Sequence, residues 1–406
     1  MIKCGKRIVV ISSLLFLSAC AGLSRTESYL AVVDAGSSGS RIYLYKANSA
    51  SGSTDIQDLA QIHPHGLDGL SSYEGNTGQA GPQGIRPLLD SLDAYLAAND
   101  ISKNRVAVEV LATAGMRLLE QGNPPAAQAI YRSVRETIAG DGYQSGQIRT
   151  ISGADEGLYS WADVNYLYRN FQPNRATAGI VEVGGASAQV AYATSDASHP
   201  HAVRANINGV SYAVLSVSYL GLGQNEARKA MIVASGLTRN VCYPNNDNGS
   251  PPVSFNADTG SPAYVVASGD YRFAACDDVY QTLLASFHVR SSAVAPGFEA
   301  TRFVGIASVF HALHDWGVLD YPAMLETRLA THCAGLNAWS LKVAPMQGGT
   351  SKFAQNACAN GTFIHALLFG PDNGLGLPGG RLTGVERING MAPTWTRGYA
   401  LIRSAE

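Results

Sequence analysis

The sequence predicts an α/β protein built as two lobes, and three features carry that expectation. Strand-like and helix-like segments recur in both halves of the chain without strict βαβ alternation. Two short glycine/serine loops, each entered from an apolar run that ends in a carboxylate, lie far apart in the chain. At 406 residues the chain also exceeds the usual size of one hydrophobic core.

The first loop is Asp34-Ala-Gly36-Ser37-Ser38-Gly39-Ser40-Arg41, entered from Tyr29-Leu-Ala-Val-Val33 and leaving through Ile42-Tyr-Leu-Tyr45. The second is Glu182-Val-Gly184-Gly185-Ala186-Ser187-Ala-Gln189, entered from Gly179-Ile-Val181 and leaving through Val190-Ala-Tyr192. Each therefore reads as strand, polar turn, strand. Glycines let backbone N–H groups approach an anion closely, and successive amides form a concave nest. Ser37, Ser38 and Ser187 add hydroxyl donors. One such loop is as well explained by a plain hairpin; two, each with a strand-terminal acid, point to a polyphosphate chain held between them.

Neither loop ends in Gly-Lys-Ser/Thr, and neither opens a helix, so neither is a Walker loop nor a dinucleotide fingerprint. Without a loop lysine, neutralisation of phosphate falls to a cation. Asp34 and Glu182 are oxygen donors of the kind Mg²⁺ or Ca²⁺ prefers.

Along the chain, Asn48–Asp55 reads as a surface turn and Val106–Leu111 as a buried strand leading to Ala112-Thr113-Ala-Gly-Met-Arg117. Pro124-Pro125 open a helix over Ala126–Ala139, closed by Gly140. Ile148–Ile151 reads as a strand, Asp155-Glu156 as a turn ahead of an aromatic helix over Leu158–Asn170, and Val214–Tyr219 as another strand. A helix follows over Glu226–Ala234, then a long exposed loop over Tyr243–Pro262. Trp395–Leu401 is apolar enough to pack back onto the first lobe.

Composition narrows the partners. Apolar residues make up 46% and charged residues 15%, which excludes global disorder. A net charge of −2 supplies no basic footprint for nucleic acid, and nothing in the sequence points to a protein partner.

Lys3, Lys6 and Arg7 precede an apolar run over Ile8–Leu17 that is too short to span a bilayer. With Leu17-Ser-Ala-Cys20 it reads as an export signal with a lipoprotein processing site, which would anchor the chain through lipidated Cys20; cleavage as an ordinary secretory signal is the alternative. An exported protein, whether secreted, periplasmic or held at an outer membrane, keeps its remaining cysteines oxidised. Cys242, Cys276, Cys333 and Cys358 allow three pairings, and the nearest-neighbour one, Cys242–Cys276 with Cys333–Cys358, is the expectation.

Taken alone, Asp155-Glu156 is an ordinary pair, since acids favour the first turn of a helix. It is also where a general base for water would sit. Thr113 could bond a phosphate oxygen or a water, and Arg117 a phosphate or an acid. His311 and His314 have no third ligand to make a metal site.

In their order, Asp34–Arg41, Ala112–Arg117, Ser152-Gly-Ala-Asp-Glu156-Gly157, Val183–Gln189 and Tyr219-Leu-Gly-Leu-Gly-Gln-Asn-Glu-Ala227 resemble the five conserved regions of the nucleoside triphosphate diphosphohydrolases, the ecto-apyrases of the GDA1/CD39 group. Cys358–Leu368 and Trp395–Tyr399 extend the likeness more loosely. The resemblance implies two RNase H-like lobes of the actin/sugar-kinase/Hsp70 superfold with the active site in the interlobe cleft. The first lobe would span 29–153 with about 386–406, and the second 154–385.

It further implies Glu156 as the base for water, with Thr113 and Gln189 placing that water. Asp34 and Glu182 would hold the divalent cation, largely through its water shell. Ser37, Ser38, Gly39, Gly185, Ala186 and Ser187 would form the phosphate loops, and nucleoside tri- and diphosphates would be the substrates. Tyr264, Phe303, Phe310 and Phe353 are the aromatic candidates for the base. Three positions depart from the family pattern: Glu182 where animal members usually carry Asp, Ala188 where Thr is common, and Gly39 where many members carry a larger residue. The other readings of the same motifs are an exopolyphosphatase-like hydrolase and an actin- or Hsp70-like nucleotide switch.

Overall fold

The alternation of Leu30, Val32 and Asp34 against Ala31, Val33 and Ala35 makes the first apolar run a strand with two buried faces, and that strand organises the first sheet. The computed structural model describes residues 26–50, 53–62, 67–245, 253–255, 264–266, 268–348 and 352–404. The segment expected to be an export signal, with Cys20, lies outside the described residues, as does most of the Tyr243–Pro262 loop.

The first sheet comprises β1 (Thr26–Gly36), β2 (Gly39–Ala50), β3 (Ser53–Ile62), β4 (Val106–Ala112) and β5 (Gln144–Thr150), ordered β3-β2-β1-β4-β5. The first three strands run as an antiparallel meander, while β4 lies parallel to β1 and β5 to β4. Pairing of β2 with β3 continues as far as Ala50 opposite Ser53. The surface turn expected over Asn48–Asp55 is therefore shorter than its Ser/Gly/Asp composition suggests.

The second sheet repeats this plan with β6 (Gly179–Val183), β7 (Ser187–Ala193), β8 (Ala202–Ile207) and β9 (Val210–Leu220), joined by β12 (Phe303–Ala307) and β13 (Leu382–Gly384). Its order is β13-β12-β6-β7-β9-β8. The hairpin β6–β7 stands where β1–β2 stands in the first sheet, and β12 is parallel to β6 as β4 is to β1. A small hairpin, β10 (Val253–Phe255) with β11 (Tyr264–Val266), is separate from both.

Helices α1 (Arg86–Ala98), α2 (Ala114–Gly122) and α3 (Pro124–Ala139) accompany the first sheet. The proline pair lets α3 start two residues earlier than expected, because proline at the first helical positions loses no hydrogen bond; Asn123 caps it through the Ala126 amide at 3.3 Å. Helix α4 (Gly153–Leu167) links the halves. In the second come α5 (Gln224–Ser235), α6 (Phe273–Ser286), α7 (Val289–Ala293), α8 (Ser308–Asp315), α9 (Leu325–Cys333), the short α10 (Ala344–Met346) and α11 (Lys352–Phe369), before the final α12 (Trp395–Arg403).

Both sheets turn one face toward α4 and α12. Leu30, Val32 and Tyr45 of the first sheet, Ile180 and Ala191 of the second, and Trp161, Trp395 and Tyr399 of the two helices share one apolar cluster. Trp161 is fully buried there, and its truncation to alanine would cost about 3–5 kcal/mol. Arg397, also buried, is held by Asp58 of β3 at 2.6 Å and by Asp163 of α4 at 2.6 Å, which staples the last helix to both halves. The expected packing of Trp395–Leu401 against the first sheet is present, and α4 shares it. Cys242 is bonded to Cys276 and Cys333 to Cys358, the nearest-neighbour pairing, all on the second sheet's side.

Candidate active site

Two-residue periodicity carries both strand-terminal carboxylates onto the inner faces. Asp34 continues the row Leu30, Val32, and Glu182 continues Ile180, so each acid faces the layer occupied by α4 and α12. Ser152 caps α4 through the Asp155 amide at 3.0 Å. The helix thereby begins at Gly153, and Asp155 and Glu156 lie inside its first turn rather than in a turn ahead of it. Capping overrides the break that the small residues 152–154 suggest. Gly153 and Gly157 permit the close approach: a Cβ would lie 2.2 Å from Ser218 Oγ at the first and 2.5 Å from Ser216 Oγ at the second.

The two turns meet at this helix end. A Cβ on Gly185 would lie 2.7 Å from Ser37 Oγ, so the loops face each other at contact distance. Among the described residues, no backbone acceptor is bonded to the amides of Ser37, Ser38, Gly185 or Ala186. Gly39 is buried behind them, Ser38 is exposed, and Ser187 is buried. Thr113 sits beside the first turn, its amide donating to Ala35 O at 3.2 Å, and its hydroxyl does not cap α2.

Glu156, Ser187 and Gln189 form one hydrogen-bonded cluster with Arg117. The Arg117 guanidinium donates to Glu156 Oε2 at 2.8 Å, to Ser187 Oγ at 3.0 Å and to Ile151 O at 3.1 Å. Gln189 Nε2 offers its two hydrogens among three acceptors, Ser187 Oγ at 2.7 Å, Ser218 Oγ at 3.1 Å and Glu156 Oε2 at 3.2 Å. Of the two partners the sequence left open for Arg117, the acid is the one it meets.

Three carboxylates, Asp34, Glu156 and Glu182, are thus close enough to raise one another's proton affinity. Burial is the main cause of the rise for all three. Asp34 is pushed up to about 7, opposed chiefly by Arg41 at 3.7 Å. Glu182 is pushed up to about 8, with Glu156 adding to the effect and a hydroxyl donated by Ser160 at 2.5 Å opposing it. Glu156 is raised too, and Arg117 opposes that rise.

Such a set of buried, mutually repelling oxygens suits a divalent cation. Among the described residues no three His, Cys, Asp or Glu side chains converge to coordinate one ion directly. The donor set therefore fits a hydrated ion, bound through water, better than a fully stripped one.

Ser160 was not singled out in the sequence, and Trp395 was expected only as part of a segment packing on the first lobe, not as a neighbour of the site. The Trp395 side chain lies close enough to Asp34 to favour its ionised form slightly. Ser160 carried a signal, standing four residues after Glu156 and so on the same helix face; Trp395, from the last helix, carried none. Among the aromatic candidates, Phe303 is buried against Tyr192 and Phe298 in the core and is unavailable to a ligand. Phe353 is exposed, Phe310 stacks on His314, and the side chain of Tyr264 lies outside the described residues. Ala188 points into the outer core of the second lobe, away from the turns.

Paired mixed sheets that face one another across two helices, with opposed turns at the mouth, place the chain in the actin/sugar-kinase/Hsp70 class of two-lobed folds. A nucleoside triphosphate hydrolase structure from Neospora caninum superposes over 93% of this chain and 92% of that one, with a TM-score of 0.59 at 16% identity. The chain belongs to the GDA1/CD39 (nucleoside phosphatase) family, whose profile matches residues 21–286.

Ectonucleoside triphosphate diphosphohydrolase 2 of Mus musculus is 26% identical over 387 residues, covering 84% of this chain and 75% of that protein. A nucleoside-triphosphatase of Pisum sativum is 31% identical over 238 residues, covering 55% of this chain. The chain spans only 51% of the length of the pea protein and 42% of a probable apyrase 3 of Arabidopsis thaliana.

Proposed function

We propose that this protein is an exported apyrase, hydrolysing the terminal phosphate of nucleoside tri- and diphosphates to the monophosphate. The observation that carries the reading is the position of Glu156: it stands on the first turn of α4, beside two facing turns in which the amides of Ser37, Ser38, Gly185 and Ala186 have no backbone partner among the described residues, with a strand-terminal acid from each sheet nearby. A divalent cation, Mg²⁺ or Ca²⁺, held through water by Asp34 and Glu182, would neutralise the phosphate charge. Family membership supports that requirement.

Ser37, Ser38, Gly39, Gly185, Ala186 and Ser187 supply N–H and O–H donors to the phosphate oxygens. Thr113 and Gln189 orient a water in line with the terminal phosphorus. Glu156 accepts its proton, and burial brings that carboxylate's affinity for protons toward the working range of a base. The oxygen of the water bonds to phosphorus as the bridging bond breaks toward the nucleotide, so no covalent enzyme intermediate forms. The two disulfides support an oxidising location outside the cytosol.

The test is phosphate release from ATP, ADP, AMP and polyphosphate in Mg²⁺, Ca²⁺ or EDTA. ATP and ADP should be hydrolysed and AMP should not, with EDTA abolishing turnover. Glu156→Gln should lower kcat by about 10³-fold. Full activity in that variant, or indifference to EDTA, removes the mechanism; preference for polyphosphate removes the substrate assignment.

A further inference from the structure

Arg117, Glu156, Gln189 and Ser187 close a four-sided ring in which donors and acceptors alternate. Its sides are Arg117 to Glu156 Oε2 at 2.8 Å, Glu156 Oε2 to Gln189 Nε2 at 3.2 Å, Gln189 Nε2 to Ser187 Oγ at 2.7 Å, and Ser187 Oγ back to Arg117 at 3.0 Å. The residues come from α2, from α4 and from β7, so the ring spans both halves of the molecule. A guanidinium only donates, which fixes the sense of the other three members. Gln189 must present its NH₂ to Glu156, because the reverse orientation would set its carbonyl against a carboxylate.

Two consequences follow from this fixed sense. Ser187 Oγ accepts two hydrogen bonds, so its own proton is left to point out of the ring. Glu156 Oε2 likewise accepts two, which leaves Oε1 as the oxygen free to take a proton; no donor is bonded to Oε1 among the described residues. The buried Nε of Arg117 has no partner among the described residues, so the guanidinium is held by this ring and by Ile151 O alone.

We infer that Arg117 is a positioning residue of the hydrolytic reaction: it selects Oε1 of Glu156 as the proton acceptor and turns the Ser187 hydroxyl toward the transferred phosphoryl group. The inference rests on the proposed role of Glu156 as base. Arg117 acts through its neighbours and makes no required contact with substrate. The other charged groups that face Glu156 are Asp34 from β1 and Glu182 from β6. Both are anionic when ionised, so Arg117 is the cation that opposes the burial-driven rise in Glu156's proton affinity.

Steady-state kinetics of the full chain across pH, with unfolding temperatures alongside, decide the matter. Arg117→Met should lower kcat for ATP and ADP by about 10²-fold with KM within about threefold, because an interaction needed only in the transition state is lost. The acid limb of kcat should move to higher pH. Arg117→Lys, which keeps the charge but not the fork, should return that limb toward the native position and recover part of kcat.

Ser187→Ala should cost about tenfold in the native background and less than about twofold in Arg117→Met, since members of one network lose activity together rather than additively. A raised KM with kcat and pH limb unchanged would make Arg117 a ground-state phosphate ligand and overturn the inference. So would additive losses with an unmoved pH limb, which is what a merely structural arginine gives. If Glu156→Gln retains full activity, the base assignment itself fails; if only the Arg117 variants behave as native, the inference fails and the base assignment stands.

Discussion

The two glycine/serine turns occupy equivalent places in their sheets yet solve the same problem differently. In the first, Asp34 lies opposite Arg41 in the strand register, with the Trp395 side chain nearby. In the second, Glu182 lies opposite neutral Gln189 and, among the described residues, has only the Ser160 hydroxyl. The first acid thus has a resident cation and the second has none among the described residues, and Glu182 keeps its proton to a higher pH, about 8 against about 7.

Backbone support differs in the opposite sense. The carbonyls of Gly184, Gly185 and Ala186 each accept an amide, from Gln224, Asn225 and Gly221 at 2.8–2.9 Å. The first turn is cradled instead by Gly69, whose Cβ would lie 2.5 Å from Gly36 O. The second turn is firmly placed and electrostatically needy; the first is the reverse.

The largest effect that would break this comparison comes from the glycines behind the turns. A Cβ on Gly223 would stand 2.1 Å from Ala186 N and 2.3 Å from Gly185 C, with a backbone φ of −71° that alanine itself tolerates. The cost of Gly223→Ala is therefore steric and falls on the second turn, about 2–3 kcal/mol of stability with a drop in kcat of about 10²-fold or more. Gly69→Ala meets the first turn less severely and should cost less on both counts. Thermal unfolding and kinetics of the two variants check this; equal losses would mean the turns are supported alike.

A second prediction concerns pH. Asp34 and Glu182 bind protons more tightly in the folded chain than their ordinary values of 3.8 and 4.5. Their contribution to stability is then full below those values and is lost as pH rises through about 7 and about 8. In EDTA the unfolding temperature should fall between about pH 4 and pH 8. Mg²⁺ should reduce the fall, and Glu182→Gln should remove more of the slope than Asp34→Asn. A flat profile in EDTA would show that the carboxylates are not strained without the cation.

Much of this was legible in the chain because it is local. A strand-terminal acid, a turn of glycine and serine, and a strand resuming after it are read within about ten residues, and period-two alternation says which face the acid takes. The start of α4 was misjudged because small residues at 152–154 look like a break until Ser152 is seen to cap the helix. The non-local contacts left no trace: nothing in the sequence ties Trp395 to Asp34 or Arg117 to Ser187, since α12 and the second sheet come to the cleft only through folding. Phe303 was weighed as a ligand for its ring, but strand position, not ring chemistry, decides its burial.

The smallest effect separates the two acids most finely. Ser160 donates to Glu182 Oε2 at 2.5 Å, and no other donor to that carboxylate is present among the described residues. Its loss in Ser160→Ala leaves Glu182 without a hydrogen bond among the described residues, which favours the neutral form and should weaken the proposed hold on a hydrated cation. One net hydrogen bond corresponds to about 1–1.5 kcal/mol, so the Mg²⁺ concentration for half-maximal hydrolysis should rise about five- to tenfold with KM for ATP unchanged. Trp395→Phe removes the indole N–H near Asp34, yet Arg41 remains beside that acid at 3.7 Å, and the requirement for Mg²⁺ should rise by less than about threefold. Titration of the unfolding temperature with Mg²⁺ reads the same difference without turnover. Equal shifts in the two variants would show that Arg41 does not compensate its acid, and that the two turns share one electrostatic design.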